Sequence, residues 1–165
     1  MVIRHVNLKD LDEVVRIEQD NFSPQEAATR EAMRERIEKI SDTFLIAEID
    51  SQIAGYIEGP VVSVRYLTDD LFHSVATNPE KGGFVAVTSL SVDKSFKGQG
   101  VGTALLAAMK DLAISQSRDG INLTCHDYLI AYYEMNGFVD EGKSESTHGG
   151  ETWYNMIWES HSNKS

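Results

Sequence analysis

The sequence predicts a mixed α/β domain: a mostly antiparallel sheet with helices on both faces. Three observations carry that expectation. Apolar residues recur with helical spacing in some segments and fill short β-branched runs in others. The segments follow as strand, two helices, three strands, helix, strand, helix, two strands, which is not the strict alternation of a parallel sheet. No repeat, low-complexity block or Pro/Gly/Ser-rich linker divides the 165 residues, so residues 1–165 read as one domain with a polar tail at 160–165.

Residues 2–6 open as a short strand. Leu11, Val14, Val15 and Glu18 sit at helical spacing within 10–19. Ser23 can cap a second helix, with Pro24 at its first position and Glu26 closing a capping box; this helix is expected to run to residue 39. Residues 44–49 and 53–64 read as two strands joined at Asp50-Ser51-Gln52. Residues 66–81 are irregular, with a helical turn near 69–73. The β-branched run 84–92 reads as one strand buried on both faces. Val101, Leu105, Leu106, Met109, Leu112 and Ala113 form one stripe on a helix over 100–117, stopped by Asp119-Gly120. A strand at 121–125 precedes a short helix at 129–136, which Gly137 closes. Strands at 138–143 and 152–158 finish the chain around the turn Thr147-His148-Gly149-Gly150. Trp153 and Trp158 read as closing-strand core or interface.

The composition is that of a soluble globular chain, 41% hydrophobic and 25% charged. A net charge of −11 repels phosphate backbones and disfavours nucleic-acid binding; it attracts a cationic small molecule. The N-terminus has neither a long apolar stretch nor a small-residue cleavage site, and no apolar run is long enough to span a bilayer. With one cysteine, Cys125, an intrachain disulfide is excluded. These features together predict a cytoplasmic protein without membrane association. The histidines show no metal-ligand spacing, so no metal is expected. Exposed edge strands near the C-terminus make a homodimer an expectation.

The most chemically specific feature is Lys97-Gly98-Gln99-Gly100-Val101-Gly102, set between the strand at 84–92 and the longest helix. Glycines let the backbone approach a ligand and take positive φ. The free amides of a first helical turn, with the helix dipole, attract an anion, typically a phosphate. No Gly-Lys-Ser/Thr ends the turn, and Thr103 stands where a dinucleotide fingerprint needs its third glycine. A ligand-free strand-to-helix turn is the alternative at this level.

The segment resembles the signature of the GNAT superfamily of acyl-CoA-dependent N-acetyltransferases. In that family Arg/Gln-x-x-Gly-x-Gly/Ala opens a main helix after a strand like Ser89-Leu90-Ser91-Val92; here Lys97 takes the first position. Further along, Ala131-Tyr132-Tyr133-Glu134-Met135-Asn136-Gly137-Phe138 resembles the family's Leu-Tyr-Glu-x-x-Gly-Phe segment. Two motifs in order are more specific than one. Within the superfamily, Ser89-Leu90-Ser91-Val92, Phe96, Tyr66-Leu67-Thr68 and Cys125-His126-Asp127 are similar to the arylalkylamine N-acetyltransferase branch. Ala86 and Thr88 stand where its animal members carry two histidines, so that base machinery is not carried over.

The resemblance implies a GNAT-type sheet and acetyl-CoA as co-substrate. It places Leu90, Ser91, Val92, Lys97, Gly98, Gln99, Gly100, Val101, Gly102 and Thr103 at the cofactor, with Leu90 and Val92 lending backbone groups to the pantetheine arm. It also sets the Tyr133 hydroxyl near the thioester sulfur, where a phenol protonated at neutral pH can serve as general acid. The implied reaction moves an acetyl group to a small-molecule primary amine by direct attack. The proton acceptor stays open among His126, Glu26, Glu18 and Glu58; Glu18, Phe22 and Glu26 are expected at the amine, and Glu58 toward solvent. A buried apolar role is expected for Cys125. Two other readings remain: a protein N-terminal or lysine acetyltransferase, since residues 17–24 resemble that branch, and a non-catalytic acyl-CoA-binding sensor.

Overall fold

The computed structural model describes residues 1–160. Strands β1 (Val2–His5), β2 (Phe44–Ile49), β3 (Gln52–Glu58) and β6 (Ser89–Val92) form one antiparallel half-sheet in the order β1-β2-β3-β6. A second half-sheet, β4-β5-β7-β9-β8, comprises β4 (Val61–Val62), β5 (Phe84–Val87), β7 (Gly120–Cys125), β8 (Val139–Lys143) and β9 (Tyr154–Glu159). All pairings are antiparallel except β5 with β7.

Helices cover both faces, as the period switching predicts. Helices α1 (Leu11–Asn21) and α2 (Arg30–Lys39) bury Val14, Ile17, Met33 and Ile37 against Phe44, Ile46 and Tyr56. On the other face, α3 (Val101–Ser115) sets Val101, Leu105, Leu106, Met109 and Ala113 against Leu45, Ala47 and Ile57, with α4 (Ile130–Met135) at the rim of that core. Alternate residues of β2 thus serve opposite cores, which is the period-two pattern. Among the described residues no helix is long and apolar enough to cross a membrane.

Two expected strands are broken, and the breaks create the cleft. The run at 53–64 ends at Glu58, because Gly59 and Pro60 carry the chain to the other half-sheet; a Cβ on Gly59 would lie 1.8 Å from the Ala86 carbonyl oxygen. The run at 84–92 divides at Thr88: β5 pairs with β7, whereas β6 turns away to β3. A run apolar at most positions and rich in β-branched residues does not record a change of partner, so the sequence shows one strand where there are two.

The helix expected from Ser23 is only a turn there. The amides of Glu26 and Ala27 bond the Ser23 carbonyl, and α2 begins seven residues later under the Thr29 hydroxyl, which accepts from Ala32 N. Glu26 is therefore not a capping-box residue; its carboxylate is used elsewhere. Ser160 is not tail either: it is 1% exposed and its amide bonds the Asp119 carbonyl, while the rest of the expected tail, 161–165, lies outside the described residues.

Candidate functional site

The pairing of β5 with β7 stops at Val87 opposite Leu123. Beyond it β7 continues to Cys125 against β9 alone, and β6 pairs with β3 alone. The two strands splay, each leaving a ladder edge open toward the other. A cavity of about 610 Å³ fills the gap, within the range of small-molecule sites.

Leu90, Ser91 and Val92 line one side of it. Asn21 at the end of α1 secures this wall, its Nδ2 donating to Ser91 Oγ and to the Val92 carbonyl, both at 2.7 Å. One lone pair of the Val92 carbonyl is thereby occupied. Lys97, Gly98, Gly100, Val101, Gly102 and Thr103 line the adjoining side; Gln99 does not. Gly98 and Gly100 have φ of 80° and 78°, and a Cβ on either would meet nothing within 4 Å. The turn needs glycine for its conformation, and the space outside it is free. Gly100 caps α3, so the first amides of that helix have no helical acceptor. An open recess lined by free amides at a helix N-terminus suits a pyrophosphate, so these residues fit coenzyme A.

Facing this wall, Tyr133 of α4 lies 8% exposed in the cavity, edge-on to Tyr132 and Phe138. Burial pushes its hydroxyl well above the usual phenol range, so it is a proton donor at neutral pH. Burial, then the carboxylates of Asp140 and Asp127, pushes the Cys125 thiol up to about 12. A thiol so held is a poor nucleophile.

On the remaining side stand Glu18, Phe22, Glu26 and His126. Glu18 is 2% exposed: Tyr56 Oη donates to its Oε1 at 2.5 Å, and Ala28 N to its Oε2 at 2.8 Å. Burial pushes its carboxyl up, only partly opposed by those bonds, and the charge of Glu58 adds to the rise. His126 Nε2 donates to Glu26 Oε1 at 3.1 Å, with its ring stacked between Tyr128 and Trp153. The chain thus places two carboxylates and an imidazole along this side of the cavity, an environment that draws in a cation.

Sequence reasoning misplaces two side chains here and misses several, three of them from distant segments. Glu58 does not face solvent: it is fully buried, bonded by Arg36 Nη1 and by Thr88 Oγ1, both at 2.8 Å. Trp153 precedes β9 and forms cavity wall rather than strand core. Asn21, Phe72 and His148 reach the cavity unannounced. His148 sits in a segment whose Gly-Gly pair reads as a hairpin turn, and no local pattern marks Phe72. No group of three His, Cys, Asp or Glu among the described residues is placed to hold a metal ion.

Comparison with known proteins agrees with this geometry. A family model described as an acetyltransferase (GNAT) domain matches residues 11–160. Among solved structures, a GNAT-like decarboxylase, GphF, in complex with isobutyryl-CoA superposes with a TM-score of 0.79 at 14% identity, covering 96% of this chain and 99% of that one. Ard1 from Thermoplasma volcanium gives 0.72 at 20% identity, with 96% of both chains covered. The ribosomal-protein-alanine N-acetyltransferase from Brucella melitensis gives 0.71 at 20%, covering 96% and 99%. At such identities the likeness is one of fold. A search of curated proteins returned no significant match.

Proposed function

Because the chain belongs to the GNAT acetyltransferase family, we propose that it moves the acetyl group of acetyl-CoA to a primary amine of a small molecule, in the cytoplasm, with Tyr133 as general acid. One observation carries the choice of a small acceptor. The segment between α1 and α2 is bonded across the cleft, from Glu26 to His126 just past β7, so this side of the cavity is bridged rather than left as an uninterrupted groove. A protein substrate would need an open groove there.

The thioester, when bound, supplies the activated acetyl group; the chain supplies everything else. Amides at the start of α3 hold the diphosphate, and the open edge of β6 aligns the arm that follows it. Glu18 and Glu26 attract the acceptor as an ammonium ion. An alkylammonium has a pKa of about 10 and must lose a proton before it can attack. Glu18, with its raised carboxyl and place in the cavity wall, is one acceptor of that proton; the Glu26–His126 pair is the other. Tyr133 keeps its proton until the thiolate leaves and then donates it. Similarity to the arylalkylamine branch supports an amine joined to a compact apolar group, as do the rings around the pocket.

The test is turnover of acetyl-CoA against a panel of polyamines, arylalkylamines, amino acids and short peptides, repeated with Tyr133→Phe. The variant is expected to lose at least about tenfold in kcat while its affinity for acetyl-CoA holds, because only the transition state uses the acid. Unchanged kcat removes Tyr133 from that role. Acetyl-CoA binding without turnover of any amine would make the chain a sensor rather than an enzyme.

A further inference from the structure

We infer that His148 and Gly149 determine which amines the cleft accepts, by clasping Glu26 from the opposite side of its mouth. This rests on reading the cleft as an acetyl-transfer site, but it concerns residues that reading does not use. Glu26 belongs to the α1–α2 connection; His148 belongs to the connection between β8 and β9, more than a hundred residues later. Two contacts join them. His148 Nε2 donates to the Glu26 carbonyl at 3.0 Å. Gly149, at φ 64°, passes so close that a Cβ on it would lie 2.8 Å from Glu26 Cγ. From there the Glu26 carboxylate continues to His126, just past the end of β7.

The clasp is braced on every side. The His148 ring stacks on Phe72 with centroids 4.0 Å apart and planes 11° from parallel. The Phe72 carbonyl accepts from buried Arg36 at 3.0 Å. Trp153 Nε1 donates to the His148 carbonyl at 2.8 Å, and Asp69 receives the Thr147 amide at 3.1 Å and the Ser146 hydroxyl. A carbonyl only accepts, so the bond to Glu26 fixes the hydrogen on His148 Nε2. Held this way, the two connections bridge the region through which the backbone of a peptide acceptor would have to leave. An amine on a short, compact chain fits beneath the bridge; an N-terminal amine followed by an extended peptide does not. The specificity is steric exclusion of the longer acceptor rather than attraction of the shorter one.

The experiment measures kcat/KM with acetyl-CoA for the best small amine of the panel and for tetra-alanine amide, in the wild type, His148→Ala, His148→Gln and Gly149→Ala. His148→Ala is expected to raise the peptide-to-amine ratio at least tenfold, with the calorimetric Kd for acetyl-CoA unchanged. Gly149→Ala, which displaces Glu26, is expected to shift the ratio the same way. His148→Gln, which keeps an N–H donor for the Glu26 carbonyl, is expected to lie nearer the wild type. A general loss of packing would lower both acceptors together and would not be rescued by glutamine. A ratio within twofold of wild type in folded His148→Ala overturns the inference and leaves the transfer reading intact. Should the variants not fold, the wild type decides: tetra-alanine amide used as well as the small amine refutes the clasp. A wild type inert toward every amine overturns the transfer reading, and the inference with it.

Discussion

Removing the Arg36 side chain tests how the two half-sheets are held at the place where they part. Arg36 is 1% exposed and Glu58 fully buried, with Nη1 to Oε1 at 2.8 Å. Glu58 is the last residue of β3, and its Oε1 also receives the Thr88 hydroxyl, at the very break between β5 and β6. Its Oε2 has no hydrogen-bond partner, so Arg36 is the sole cation compensating this buried carboxylate among the bonds described. Arg36→Leu leaves that charge unpaired in the interior, a loss of about 3–5 kcal/mol. The Phe72 carbonyl loses its Arg36 donor as well, for about 1 kcal/mol more. For a chain of this size each kcal/mol moves Tm by roughly 2–4 °C, so Tm should fall by about 8–24 °C. The paired change Arg36→Leu with Glu58→Leu removes both charges and should recover most of the loss, because a buried ion pair adds little net stability over apolar residues of similar volume. Scanning calorimetry at pH 7, supported by urea unfolding, reads all three proteins and the wild type. Two results would refute the reasoning: a single variant within 1 kcal/mol of wild type, or a double variant no more stable than the single one.

Two further expectations concern protons. The Arg65 fork and the Tyr66 hydroxyl hold the Glu141 carboxyl down at about 2. A folded-state value below the ordinary 4.5 gives stability that is present above that range and lost as the pH falls from 4.5 toward 2. Glu141→Gln should therefore flatten the fall of Tm with acid over that window, by an amount worth at most about 1 kcal/mol since the pair is partly exposed; parallel Tm curves would contradict this. A thiol raised from 9.0 to about 12 carries about a thousandfold less thiolate at pH 8, so Cys125 should resist aromatic disulfide reagents in the folded protein and react promptly in urea. Rapid native labelling would show that the thiol is not buried as described.

What was legible locally and what was not divide along physical lines. The stripe on α3 gave its buried face almost residue for residue, because a helix buries one side whatever it packs against. Gly98 and Gly100 marked the recess before α3, since positive φ is a local demand. The Tyr133 segment was legible only through resemblance. By contrast, Ser23-Pro24-Gln25-Glu26 has every local mark of a helix start, yet its carboxylate and carbonyl are taken by His126 and His148. Those partners lie a hundred residues away, and no propensity encodes them.

The sequence by itself thus determined the element types, the glycine recess and the helix that opens on it, because each depends on neighbours within a few residues. Only the tertiary structure decided where the apolar run at 84–92 changes partner, that Glu58 is buried with Arg36, and that His148 and Trp153 meet Glu26 and His126 at one cavity. A hydrogen-bond ladder can pass from one strand to another without altering the residues that carry it, and side chains far apart in the chain meet only once the sheet has split.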